Sequence, residues 1–446
     1  MKIALISARR DPFISPQDID GGCVVLRNYI KELYNFGHEI HVFTRLEQER
    51  QGAPQDLILK AKAQKITGPG KTRVKNRLFN YRIPYNACPD TQESDLKQIA
   101  EANSFAQNLE FYFEDELFDI YHYFHLFSIS GWLGNSGHIP FLKKTLFSPM
   151  LPTYGRTFEY PVKTRLKLEK QVCQQVKKII CPSSRETEII RQGYRVPKSK
   201  LVNMPLGISH KIFYTKTDFA QFNQDKKFLI ISPNAIRAQK KQIEVVKIAH
   251  HLKQARIPLV TLLVGRIQEE SYFSQLIETI GKLGLTYRRC SSPPARKDIT
   301  RLNSDIVFLN GLDQSQLANI IREADIAVFP SQDETFGLIL LECMACGTPP
   351  ICFNLPAYKD YLIPHENALV VNSSEGWKAL ALVAEKLLGN KKQLTLLSKT
   401  AANIASQFSW RNLVSQQLYI YSRILDRKEE LYPHHFTIAS WANLHK

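Results

Sequence analysis

The chain has 446 residues, 44% hydrophobic and 23% charged, a composition that predicts two or three globular domains and excludes a disordered or fibrous protein. Its 59 lysines and arginines against 42 aspartates and glutamates leave a net charge of +17, which suits anionic partners such as phosphorylated small molecules, membrane headgroups or nucleic acid. Nothing resembles a zinc finger or an RRM signature, so nucleic acid is not expected, and the absence of any run of 18 apolar residues predicts no transmembrane helix.

In chain order, Lys2–Ser7 reads as a buried first strand rather than a leader peptide. Asp20-Gly21-Gly22 falls between it and a helix over about Cys23–Phe36, where paired glycines let a phosphate or sugar approach the backbone. Asp18-Ile-Asp20 also spells a metal-binding Asp-x-Asp, discounted because it runs directly into that glycine loop. A second strand follows at Glu39–Thr44. Between Asp56 and Asp90 there is no acid but eight cations: Lys60, Lys62, Lys65, Lys71, Arg73, Lys75, Arg77 and Arg82. That run reads as a solvated loop, with a funnel for an anionic acceptor or peripheral contact with an anionic membrane surface as the alternatives. Further strands are expected at Phe118–Tyr123, Lys144–Ser148, Lys178–Cys181 and Leu201–Met204, with His122 and His125 closing the first of these.

A polar tract over 206–222 separates this half from a second with the same grammar of short strands and longer helices. Strands are expected at Lys227–Ser232, Val260–Val264, Asp305–Leu309, Asp325–Phe329, Pro350–Cys352 and Ala368–Val371. Long helices are expected at Ser374–Leu388, Lys391–Ser406 and Trp410–Asp426. The predicted fold class is α/β, two doubly wound Rossmann-like domains facing a cleft: 1–205, a linker 206–222, 223–408, and a helix with tail, 409–446, that returns to the first domain.

The most informative segment is Ser331–Ala345. Glu334 and Glu342 are separated by seven residues that include Phe336-Gly337, and Cys-Gly-Thr-Pro follows. A strand before it and helix stop signals at Gly347 and Pro349 predict strand, loop with Glu334, then a helix starting near Gly337 with Glu342 on its second turn. The free amides of that helix start, around Gly337, Leu338 and Ile339, are a seat for phosphate. Cys343-Met-Ala-Cys346 imitates a redox or zinc motif but has no second ligand pair nearby and reads as packing. All eight cysteines are expected to be reduced thiols in a cytoplasmic protein.

This segment resembles the glutamate-x7-glutamate signature of retaining GT-B glycosyltransferases (group 1, family 4), and Asp20–Arg45 is similar to the sucrose-phosphate synthase branch. The resemblance implies that Glu334 grips the donor sugar and Glu342 accepts from the ribose hydroxyls, with Phe336 to Ile339 around the diphosphate. It further implies that Gly21 and Gly22 lie by the donor, that Gly311 in Asn310-Gly311-Leu312 is near the base, and that Asp20 and Arg156 meet the acceptor. Relatives carry an Arg and a Lys about five residues apart to stabilise the leaving diphosphate. Anchoring on Lys240 or Lys241 puts Ala235 or Ile236 where the Arg belongs, so Arg237 is the substitute. Relatives also place a His after the strand that here ends Ser148-Pro-Met150, and His125 is the substitute.

The implied activity is transfer of a hexose from a nucleotide-sugar co-substrate, UDP-glucose first, to a sugar, sugar-phosphate or lipid acceptor. Neither a cofactor nor an essential metal is expected. GDP-mannose as donor, a non-catalytic sugar-nucleotide sensor, and a GT-B epimerase or phosphorylase stay as alternatives.

Overall fold

The computed structural model describes residues 1–8, 12–13, 21–46, 70–85, 94–115, 117–150, 152–154, 162–215, 227–291 and 295–426. The chain divides into two compact units, Met1–Leu206 with Trp410–Lys446, and Gly207–Ser409.

In the first unit the strands are β1 (Lys2–Ser7), β2 (Glu39–Arg45), β3 (Gly70–Lys75), β4 (Leu78–Ile83), β5 (Ile120–Phe124), β6 (Thr145–Ser148), β7 (Lys178–Cys181) and β8 (Leu201–Asn203). Helices α1 (Gly21–Asn35), α2 (Ser94–Asp115), α3 (Ser130–Ser136), α4 (Lys163–Gln175) and α5 (Ser184–Gly193) connect them. The sheet order is β3-β4-β2-β1-β5-β6-β7-β8, and every pairing is parallel except β3 on β4. Parallel strands covered on both faces read as continuous apolar runs, and Ile3 to Ile6 of β1 are fully buried. Each buried isoleucine or leucine of this run stabilises the fold by roughly 1.5–3 kcal/mol.

The second unit carries β9 (Phe228–Pro233), β10 (Leu259–Val264), β11 (Tyr287–Cys290), β12 (Ile306–Leu309), β13 (Ile326–Phe329), β14 (Pro350–Phe353) and β15 (Leu369–Val371). Its helices are α6 (Gln242–Gln254), α7 (Glu270–Lys282), α8 (Arg296–Arg301), α9 (Gln314–Glu323), α10 (Leu338–Ala345), α11 (Gly376–Leu388) and α12 (Lys391–Ser406). The order β11-β12-β10-β9-β13-β14-β15 is parallel throughout. The last helix, α13 (Trp410–Ile424), packs in the first unit, with Trp410 5.6 Å from the ring of Tyr29 on α1.

Both sheets are doubly wound. Each has a topological switch point where the connections change direction: between β1 and β5 in the first unit, and between β9 and β13 in the second. Ligands of open α/β sheets bind outside the carboxyl ends of strands at such points.

The basic run departs from its reading as a loop. Its described part, 70–85, is the β3–β4 hairpin at the sheet edge. The alternation Lys71, Arg73, Lys75 suits an edge strand, where charge prevents pairing with another chain. Lys71 Nζ also lies 4.8 Å from the Phe79 ring and 5.3 Å from that of Tyr81, so its stem covers aromatic surface. Lys60, Lys62 and Lys65 lie outside the described residues, as does the tail beyond Asp426. Among the described residues no helix is long and apolar enough to cross a membrane.

Candidate active site

Two loops converge at the switch point of the second unit. The loop after β9 runs Asn234–Arg237 into a short turn, Ala238–Lys240, and Lys241 adopts a left-handed conformation (φ 55°) before α6. It is zipped to the exit of β10. Ile236 N donates to Arg266 O at 2.7 Å, and Ile236 bridges Ile267. Gly265 (φ 155°) permits this contact, because a Cβ there would stand 2.1 Å from Asn234 O. Gln242 Nε2 completes the clamp by donating to Ala235 O at 2.8 Å.

The loop after β13 carries Glu334 and ends at Gly337, whose φ of 82° places it in the left-handed region directly before α10. Tyr361 Oη donates to the carbonyl of Phe336 at 2.7 Å and approaches that of Gly337 at 3.3 Å. Gln332 N donates to Gln239 O at 3.3 Å, joining this loop to the first. The joint is reinforced by charge: Lys240 Nζ donates to the Glu334 carboxylate, and the two side chains are only 10% and 12% exposed. The Tyr358 hydroxyl is buried beside them with no partner among the described residues, and burial together with the field of Glu334 pushes its pKa well above the ordinary phenol value.

Glu342 sits on the second turn of α10, 7% exposed. Among the described residues its carboxyl has no hydrogen bond or ion pair, and burial alone raises its pKa from 4.5 to about 8. A buried carboxyl is normally satisfied. One left bare beside a helix start is a place where a ligand's donors would be stabilised.

Of the other residues expected at this site, Leu338 and Ile339 are half-buried in the first turn of α10, and Gly337 is buried. The Phe336 ring packs inward 5.2 Å from Tyr361, so this residue presents its backbone. Gly311 (φ 72°) follows β12, is exposed, and has open space where a Cβ would point. Arg237 is half-buried, and its Nε is buried without a partner among the described residues.

In the first unit, α1 begins at Gly21 itself, with Gly22 second and nothing within 4 Å of a Cβ built on Gly21. Asp20 and Arg156 lie outside the described residues. His125 directly follows β5, on one side of this unit's switch point, at φ 74° and ψ 148°. A non-glycine residue rarely occupies that region, and it costs about 1–3 kcal/mol. Ser128 holds the turn: its Oγ accepts from Ala8 N at 2.7 Å and donates to Phe124 O, which ties the exit of β1 to that of β5. His122 instead is wholly buried, its Nδ1 2.7 Å from Tyr421 Oη and its Nε2 2.8 Å from Ser148 Oγ. It is a core histidine with a pKa driven down to about 3 by burial.

Residues 295–404 match the family model described as glycosyl transferases group 1. The chain carries a group 1 glycosyltransferase domain. It is 23% identical to a D-inositol 3-phosphate glycosyltransferase of Corynebacterium aurimucosum, over 95% of this chain and 96% of that one. The sucrose-phosphate synthase of Thermosynechococcus elongatus superposes with a TM-score of 0.73 at 22% identity, covering 95% of this chain and 99% of that structure. Anabaena Alr3699/HepE in complex with UDP and glucose gives 0.67 at 15% identity, with coverages of 95% and 99%. The fold is GT-B, and a hexosyltransferase fits the family and its relatives.

The irregular spacing of the cations has a structural correlate. Ile236 is 1% exposed and locked against Arg266 and Ile267, so one of the two positions that would align with an arginine is part of the core; the other, Ala235, is half-buried. The cations come next along the chain, at Arg237, Lys240 and Lys241. Tyr358, Tyr361 and Ser128 were not singled out in the sequence, and no local pattern announces them: each acts through a contact with a distant element. Cys343 and Cys346 are buried and free, as packing residues are.

Proposed function

We propose that this protein is a retaining hexosyltransferase that moves glucose from UDP-glucose to a phosphorylated sugar or polyol. The observation that carries the reading is Glu342: a buried carboxyl with no described partner, on the helix whose start lies at the second unit's switch point, one loop away from the Lys240–Glu334 pair. Glu342 receives the ribose hydroxyls. The amides of Gly337, Leu338 and Ile339 and the cations of Lys240, Lys241 and Arg237 receive the diphosphate. Glu334 receives hydroxyls of the transferred hexose, and the backbone at Gly311 receives the base.

Chemistry at this site depends on positioning and charge. The acceptor hydroxyl attacks from the face the diphosphate leaves, and a diphosphate oxygen takes its proton. Lys240, Lys241 and Arg237 stabilise the charge that develops on the leaving group, so no metal or other cofactor is required. Gly21, Gly22 and the strained His125 belong to the same reading on the first unit, with Asp20 and Arg156 on the acceptor side. The names of the relatives support a phosphorylated acceptor, since one acts on D-inositol 3-phosphate and another is a sucrose-phosphate synthase. All seven cysteines among the described residues are free, which fits a reducing, cytoplasmic setting, and the cationic β3–β4 edge offers peripheral contact with an anionic membrane or a lipid acceptor.

The test is turnover. UDP-glucose and GDP-mannose are each incubated with fructose 6-phosphate, glucose 6-phosphate and inositol 3-phosphate, with nucleotide release and product anomers followed by NMR. An α-linked product with one donor supports the reading. Nucleotide-sugar binding without turnover on any acceptor would favour a sugar-nucleotide sensor, the alternative suggested by the buried Ile236.

A further inference from the structure

The residue expected to grip the sugar is held by the residue expected to grip the diphosphate. Lys240 and Glu334 come from different loops, 94 residues apart, and their pairing closes two nearly buried charges on each other. Glu334 lies three residues before Gly337, within about 10 Å of the start of α10. A diphosphate seated there lies within reach of the same ammonium.

We propose that Glu334 makes the site discriminate between the intact sugar nucleotide and the bare nucleoside diphosphate by competing with the diphosphate for Lys240. The inference rests on the donor reading of this site. When a bare diphosphate draws Lys240 away, the contact between this ammonium and the Glu334 carboxylate is given up in a poorly solvated place, and the carboxylate faces a second anion across it. When the hexose is attached, its hydroxyls donate to Glu334 and replace what Lys240 gave. The carboxylate therefore favours the donor and weakens the product nucleotide, which eases product release.

The experiment is calorimetric titration of the full chain with UDP and UDP-glucose, and in parallel GDP and GDP-mannose, for the wild type, Glu334→Gln, Glu334→Asp and Lys240→Met. Glu334→Gln is expected to bind the nucleoside diphosphate three- to tenfold more tightly and the sugar nucleotide more weakly, so that the ratio of the two dissociation constants collapses. Glu334→Asp, one methylene shorter and so with a weaker hold on Lys240, shifts the diphosphate the same way and covers the case in which the glutamine variant does not fold. Lys240→Met weakens both ligands. If wild type binds the sugar nucleotide but neither Glu334 variant tightens the diphosphate, the competition is refuted and the donor reading stands. If wild type binds no nucleotide at all, the donor reading falls and takes this inference with it.

Discussion

The Tyr361 hydroxyl donates to the carbonyl of Phe336 at 2.7 Å, from 25 residues further along the chain, and so fixes the bend between Glu334 and Glu342. The same ring leaves no room at the bend. A Cβ on Gly337 would stand 2.8 Å from Tyr361 Oη and 2.4 Å from Tyr358 Cε1, at a φ of 82°. Gly337→Ala should destabilise the fold by about 2–4 kcal/mol, and Tyr361→Phe by about 1 kcal/mol. At roughly 2–4 °C per kcal/mol for a unit of this size, thermal unfolding followed by circular dichroism separates the two. Equal Tm values for Gly337→Ala and wild type would show that the loop re-forms without its glycine.

Glu342 makes the protein's stability pH-sensitive between the ordinary carboxyl range and about pH 8. Its pKa is raised in the folded chain, from 4.5 to about 8, so between those values the folded state holds a proton that the unfolded state has lost. Stability therefore falls as pH rises through that window, by an amount on the order of a few kcal/mol. Glu342→Gln should flatten this fall and raise the Tm at pH 8. On the proposed function, ribose hydroxyls would donate to the ionised form, so nucleotide affinity should rise from pH 6 toward 8 in the wild type and stay level in the variant. Parallel pH profiles for the two proteins would refute this.

His125 stores strain that a glycine would release. His125→Gly should stabilise the first unit by about 1–2 kcal/mol and lower turnover at least tenfold if the imidazole faces the reacting centre. Denaturant unfolding and steady-state kinetics give the two numbers. A destabilised variant would mean that the ring's packing outweighs the backbone strain.

His122 works in the opposite sense to Glu342. Its pKa is lowered to about 3, so between that value and 6.5 the unfolded chain holds the extra proton, and stability is lost as pH falls through this range. His122→Leu should remove that part of the acid sensitivity while costing about 1–3 kcal/mol at pH 7, because Tyr421 and Ser148 lose their partner. Acid unfolding curves at several pH values check the slope, and an unchanged slope would contradict the account.

Much of the architecture was legible because parallel strands buried on both faces leave apolar runs. Lys2–Ser7, Lys178–Cys181 and the helix Lys391–Ser406 fall where periodicity put them. Edge strands were not legible. Gly70–Lys75 and Tyr287–Cys290 carry arginine and lysine because their outer edge faces water, and that chemistry looks like a loop. At the candidate site, the spacing of Glu334, Gly337 and Glu342 could be read along one helix start. The Lys240–Glu334 pair joins residues 94 positions apart, and no local pattern encodes a contact of that kind. The unusual backbone of His125 was equally hidden, since it is set by the turn that Ser128 ties to Ala8.

The central claim is that the second unit seats a sugar nucleotide between Lys240, the start of α10 and Glu342. Isothermal titration of wild type and Glu342→Gln with UDP-glucose, GDP-mannose and ADP-glucose tests it most directly. The account predicts that wild type binds one of the three with a micromolar dissociation constant and that the variant, still folded, binds it at least tenfold more weakly. Binding of none of them by the folded wild type, or equal affinity in the variant, would contradict it.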